Sequence, residues 1–307
     1  MKKIIITTES GSDVPKHLAE KYDIRIIPMH VVMDGKSYDD GVTDPDVVFE
    51  YFEKTGKVPT TSCVNIQEYT DFFNKIKEEN PDCFIFHFAY ASRSSATYEA
   101  CHIALNQGDF KNIFLIDTKS VSGGCTAYIM EAVKHIDNYT GATETDEDCI
   151  KLGQELVKIA DKIECNFIPA TLEYLKAGGR VSNAKALIAG ILKLHPLIEI
   201  NEEGVLVASK KYRGNMAKVC DKFLPEFFEK FDLNKDIIYL MYGKGLDQSV
   251  LDRMKELAFE YGFKNVEYVM TGCVISCHGG KGAIDLANKV VDACLDNNHF
   301  QLFPLDL

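Results

Sequence analysis

The 307-residue sequence has no tryptophan and no apolar run approaching the length of a membrane span. It is also short of positive charge. With 34 Lys and Arg against 46 Asp and Glu, the formal charge is −12, which argues against a phosphate-backbone partner because nucleic-acid binding needs clustered cations. The densest cationic stretch is only Lys210-Lys211-Tyr212-Arg213. Enzyme signatures are scarce as well: there is no Gly-x-Ser-x-Gly elbow and no H-E-x-x-H pair. Gly279-Gly280-Lys281-Gly282 lacks the earlier Gly and the following Ser or Thr of a phosphate loop. At the start, Ile4-Ile5-Ile6 gives way at once to Thr7, Thr8 and Glu9, so a first buried strand is predicted rather than the head of a signal peptide.

What is present is ordinary for a soluble globular chain, with 46% hydrophobic and 26% charged residues. The length suits two domains better than one core. The 10 cysteines fall partly inside apolar segments, as Cys83, Cys101 and Cys294 do, where a thiol acts as a small hydrophobe. A reducing cytoplasm is the simplest compartment. Cys273, Cys277 and His278 lack a second Cys or His pair at zinc spacing, so no metal is expected.

The first half alternates strand and helix patterns. Strands are predicted at Lys3–Thr7, Ile24–Val32, Cys83–Phe88 and Ile113–Ile116. Helices are predicted at Lys16–Tyr22, Asp46–Thr55, Gln67–Glu79 behind an Asn65 cap, Thr97–Leu105 and Thr126–Ile136. That alternation points to a parallel sheet flanked by helices. Asn138–Asp148 is polar and aperiodic, with a helix expected over Asp148–Ile163. Beyond it, Leu194–Ile200 and Val205–Tyr212 flank Asn201-Glu202-Glu203-Gly204 as a hairpin, so the second sheet contains antiparallel pairs. Helices at Met216–Phe231, Ser249–Tyr261 and Ala283–Asp296 alternate with strands at Ile237–Tyr242 and Val266–Met270. The expected fold class is α/β in two domains. Residues 1–160 carry a parallel sheet, and residues 161–307 carry a mixed or antiparallel one.

Four segments rich in hydroxyls or glycine stand where strands should hand over to helices: Thr60-Thr61-Ser62, Ser92 to Tyr98, Thr118 to Gly124, and His278 to Gly282. In open α/β sheets ligands sit at such ends, and backbone N–H groups near a helix start favour an anion. Each segment taken alone also suits an ordinary cap or turn.

These residues resemble the DegV family, whose members include the fatty-acid-binding subunits of bacterial fatty acid kinase. Leu172-Glu173-Tyr174-Leu175-Lys176-Ala177-Gly178-Gly179-Arg180-Val181-Ser182 matches the family's L-E-Y-L-K-x-G-G-R-I-S. Pro59-Thr60-Thr61-Ser62, Ser94-Ser95-Ala96-Thr97-Tyr98 and Asp117-Thr118-Lys119-Ser120 resemble its P-x-T-S, L-S-G-T-Y and D-S-x-S. The resemblance runs from Ile4 to at least Leu286. Among its departures from the pattern, Glu9 stands for Asp, Ala96 for Gly, His195 for Lys, and Gly279-Gly280-Lys281 for Thr-Gly-Pro. A methyl at Ala96 is expected to narrow the carboxylate site, and Lys281 to add a cation near His278.

The resemblance implies a DegV-like protein that performs no chemistry, needs no cofactor and holds a long-chain fatty acid between its domains for a separate kinase. Thr61, Ser62, Ser95 and His278 would hold the carboxylate, and Arg180 would lie near the head group or the kinase. Leu187, Ile188, Ile191 and Leu192 are candidate tail contacts, although their spacing equally suits a core stripe. Physical chemistry agrees: a buried carboxylate needs converging hydrogen bonds. About fourteen methylenes at about 0.8 kcal/mol each give a gross gain of about 11 kcal/mol before ordering costs. Two other readings stay open: an acyl-ester hydrolase using Ser95 and His278, and a lipid-sensing regulator without a kinase.

Overall fold

The structure, a computed structural model, describes residues 1–108, 110–182 and 194–291. Its strands are β1 (Ile4–Glu9), β2 (Arg25–Ile27), β3 (His30–Met33), β4 (Lys36–Asp39), β5 (Thr60–Ser62), β6 (Phe84–Ala89) and β7 (Ile113–Asp117) in the first part. The second part holds β8 (Ile163–Ile168), β9 (Leu194–Ile200), β10 (Leu206–Arg213), β11 (Ile238–Tyr242), β12 (Val266–Met270) and β13 (Ile284–Lys289). The first sheet has the order β2-β1-β6-β7 and is parallel throughout. Every residue of β6 is buried, as expected for a parallel sheet covered on both faces. The second sheet runs β10-β9-β8-β13-β11-β12, and only its β11–β12 pair is parallel. The α/β class with one parallel and one mixed sheet is therefore observed.

One helix binds the two sheets together. Gly123–Asp137 is buried from Gly123 to Val133. Its Tyr128 and Ile129 share a core with Phe84, Phe86 and Phe88 of the first sheet and Cys165, Met241 and Ala287 of the second. A Cβ on Gly123 would lie 1.9 Å from the Met241 sulfur, and one on Gly124 would lie 2.9 Å from the Cys165 sulfur. Only a bare backbone can approach the second sheet this closely.

Local signals explain most of the helices. Asn65 and Glu68 form a capping box at Ile66–Glu79, and Thr145 and Asp148 form another at Asp146–Val157. Of the 10 cysteines in the sequence, those among the described residues are free and all but Cys63 are buried. No described helix is long and apolar enough to cross a membrane.

Five expectations need correction. Ile24–Val32 is not one strand: Pro28, which has no N–H to give a ladder, separates β2 from β3, and β3 joins β4 and β5 in a three-stranded sheet. Thr60-Thr61-Ser62 is thus itself a strand and not a turn. The helix expected over Asp148–Ile163 ends at Val157, and Ile163–Ile168 is a central strand. His278 to Gly282, expected where a strand hands over to a helix, is instead reached through a helix, Cys273–Gly279. Ala283–Asp296, expected as a helix, contains β13; Ile284 pairs with both Ile168 and Tyr242, and that two-sided pairing overrides local helix preference. His278 therefore ends a helix that leads into a strand, the reverse of the expected order.

Candidate functional site

A cavity lies between the strand ends of the two sheets. Thr61, Ser62, Ser95, Arg180 and His278 all line it, as does Ala96. The structure thus brings together the five polar residues singled out from sequence. Leu187, Ile188, Ile191 and Leu192 lie outside the described residues. The described residues enclose about 140 Å³, room for about five water-sized groups. A long acyl chain would have to extend beyond that space.

His278 is held from two sides. Thr61 lies on β5, opposite Val31 of β3, and its Oγ1 is 3.2 Å from His278 Nε2. The ring's other nitrogen, Nδ1, is buried without a hydrogen-bond partner among the described residues. Burial first, and the Arg180 charge second, lower the imidazole pKa to about 4, so the ring is neutral at pH 7. The Leu172–Gly178 helix packs against it so closely that a Cβ on Gly178 would lie 2.2 Å from Nδ1.

The glycine-arginine turn has a structural logic. Gly179 ends that helix at φ +64°, a conformation open to glycine. Arg180 folds back and donates to the Gly178 carbonyl at 2.7 Å, so it braces the turn while its side chain has no acidic partner among the described residues. Ser95 opens the Thr97–Gln107 helix; its Oγ meets Thr97 Oγ1 at 2.6 Å and accepts from Thr97 N at 3.2 Å. Ala96 sits at φ −76°, which suits any L residue, so its methyl lines the cavity without strain. The Ser94 hydroxyl is buried and has no partner among the described residues. Lys281 does not add a cation to this site: it reaches Glu53 at 3.8 Å instead.

This geometry is poor for nucleophilic catalysis. Ser95 and His278 each engage a threonine rather than one another, and no acid orients Nδ1 among the described residues. A serine nucleophile needs both links.

Sequence reasoning missed the supports behind the site. Asp40 is 2% exposed and caps the His278 helix from a distant part of the chain, accepting from Cys273 N at 2.7 Å and Val274 N at 3.3 Å. Ser10 donates to its other oxygen at 2.7 Å. Asp13 accepts from Gly272 N at 2.8 Å and from Ser122. Burial raises the pKa of both acids, and for Asp13 the neighbouring Asp40 raises it further. Glu9 uses its longer arm to accept from Tyr69, from Tyr90 N at 2.9 Å, and to meet His87 Nε2 at 2.9 Å. Burial alone would raise its pKa, but His87 and these hydrogen bonds outweigh that and lower it. The apolar lining, including Tyr90, Val121, Phe167, Leu175 and Val274, carried no sequence signal beyond hydrophobicity.

A two-sheet α/β chain with a cavity that mixes hydroxyls, an uncharged imidazole and apolar walls has the form of a small-molecule binding protein. Comparison with known proteins gives its family. Residues 3–288 match the family described as "Uncharacterised protein, DegV family", and the chain belongs to it. A DegV domain-containing protein of Clostridium acetobutylicum is 28% identical over 292 residues, covering 92% of this chain and 98% of that one. A Thermotoga maritima protein named fatty acid-binding protein is 27% identical over 294 residues, covering 94% and 99%. Among solved structures, a fatty-acid-binding DegV family protein from Thermus thermophilus superposes with a TM-score of 0.79 at 22% identity, covering 94% of this chain and 100% of that one. A DegV family protein from Eubacterium eligens, loaded with heptadecanoic acid, superposes with a TM-score of 0.77 at 18% identity, covering 94% and 99%. At these identities the structural matches establish the fold.

Proposed function

We propose that this protein binds one long-chain fatty acid in the cavity, gripped between residues 1–160 and 161–307, and presents its carboxylate in the cytoplasm to a separate ATP-dependent fatty acid kinase. Thr61, Ser62, Ser95 and His278 hold the carboxylate, Arg180 stands beside it, and the chain runs along the apolar walls toward the segment containing Leu187, Ile188, Ile191 and Leu192. The protein itself is not an enzyme. The observation that carries this reading is the make-up of a single cavity, where hydroxyls, a neutral imidazole and a guanidinium with no acidic partner among the described residues meet apolar side chains from both sheets. A neutral imidazole still donates one N–H, and each hydroxyl donates one O–H, so a carboxylate can be fully satisfied without a buried counter-charge. The relatives named for fatty-acid binding support the ligand class.

Protein purified without added lipid is expected to release a free fatty acid in near-stoichiometric amount under denaturing mass spectrometry. If folded protein releases none and binds none on titration, the reading is wrong. Turnover of nitrophenyl esters would favour the hydrolase instead.

Arg180 separates presentation from binding. Arg180→Ala is expected to leave fatty-acid affinity within about threefold while lowering acyl-phosphate formation with the cognate kinase at least tenfold. Losing a hydrogen bond to one backbone carbonyl costs only about 1 kcal/mol. Arg180→Lys should restore the kinase signal only in part, because an ammonium cannot reproduce a planar fork. Loss of melting temperature and lipid affinity together in the alanine variant would show that Arg180 acts only as a brace.

A further inference from the structure

We propose that the cavity selects an acyl chain bearing a second polar group, a hydroxyl or oxo oxygen, and that Asp285 is the residue that recognises it. This deepens the fatty-acid reading and rests on it.

Asp285 lies on β13, flanked by Phe167 of β8 and Met241 of β11. It lines the cavity with Phe167, Ser122 and Thr271. The residue is 6% exposed, yet its only side-chain hydrogen-bond partner among the described residues is the Cys165 thiol, at 3.6 and 3.8 Å from the two oxygens. The backbone at Leu286 supplies one further hydrogen bond, and no described cation pairs with it. A thiol is a weak donor, so the carboxyl retains most of its hydrogen-bonding capacity.

The neighbouring polar groups are already engaged. Ser122 donates to Asp13, and Thr271 Oγ1 meets Ser276 Oγ at 3.4 Å. Burial, with the Asp13 charge adding to it, pushes the Asp285 pKa well above the usual carboxylate range. That shift favours the protonated acid, which is both donor and acceptor. A plain methylene chain laid across it strips water from the group and returns no hydrogen bond, whereas a chain hydroxyl or oxo oxygen replaces the lost water. In a cavity whose hydroxyls and imidazole are proposed to hold the carboxylate, Asp285 gains nothing from a purely hydrocarbon chain.

The test is calorimetric titration of delipidated full-length protein with octadecanoic acid and three hydroxy derivatives, substituted next to the carboxyl, at mid-chain and at the terminal methyl. At least one derivative is expected to bind about tenfold more tightly than the plain acid, the yield of one added buried hydrogen bond. Asp285→Leu should reverse that order. Asp285→Asn should keep it, because an amide also donates and accepts. Binding of the plain acid with no derivative preferred by the wild-type protein overturns this inference alone, and means that water serves Asp285. A preference that survives in Asp285→Leu also overturns it. Failure of every probe to bind overturns the fatty-acid reading and this inference with it. The wild-type ranking decides the matter even if the leucine variant does not fold.

Discussion

Asp40→Ala is expected to destabilise the protein by about 3 kcal/mol, because three buried donors lose their acceptor at about 1 kcal/mol or more each. Those donors are Ser10 Oγ, Cys273 N and Val274 N. The two amides open the helix that carries His278, and its first turn has no cap from its own side chains. Helix starts leave such N–H groups unpaired unless something accepts from them. Here the acceptor comes from 233 residues away, so the contact staples the turn after β4 to the second sheet's last crossover. Asp40→Asn should cost only about 1 kcal/mol, since its amide oxygen still accepts from the helix and the Ser10 hydroxyl can reverse its role. Urea midpoints at constant m-value measure both variants. An alanine variant within 1 kcal/mol of wild type would show that water replaces the carboxylate and that the staple is idle. His278 should feel the loss too: its ring resonances should shift in Asp40→Ala and stay near their wild-type positions in Asp40→Asn.

The Asp40 contact marks the limit of what the sequence made legible. Elements whose partners lie nearby were readable. Asn65 and Glu68 announce a helix start by their spacing, and Asn201 to Gly204 announce a hairpin whose strands pair from Ile200↔Leu206 to Leu194↔Arg213. Elements defined by distant pairing were not. Ile284 to Lys289 carries alanine and leucine that favour a helix locally, and only β8 and β11 on either side make it a strand. The strand Ile163 to Ile168 went unread, and the preceding helix was carried on to Ile163, because nothing local marks the break at Val157. The cavity residues divide the same way. Thr61, Ser95, Arg180 and His278 stood out because hydroxyls, glycines and a histidine gather in short recognisable runs. Asp40, Asp13 and Asp285 are single acids in unremarkable surroundings, and their burial is a property of the assembled sheets.

Gly178→Ala should separate binding from folding more cleanly than any substitution of a polar group. The new methyl would lie 2.2 Å from His278 Nδ1, a distance no carbon and nitrogen can share, so the ring must turn away. Turning it breaks the 3.2 Å approach of Nε2 to Thr61 and removes the imidazole from the proposed carboxylate site. A hydrogen bond to a charged group is worth about 1.5–3 kcal/mol, so fatty-acid affinity should fall between about tenfold and a hundredfold. Stability should hardly move, because alanine is favoured over glycine in a helix by about 1 kcal/mol, which offsets the strain of repacking one side chain. Gly179→Ala is the natural control. Nothing lies within 4 Å of its added Cβ, but its φ is +64°, so it should lose about 1 kcal/mol of stability and little affinity. A double-mutant cycle completes the argument: His278→Ala should lower affinity by a similar factor, and adding Gly178→Ala to it should cost nothing more. Full additivity of the two losses would mean that the methyl acts on the ligand by some route other than His278.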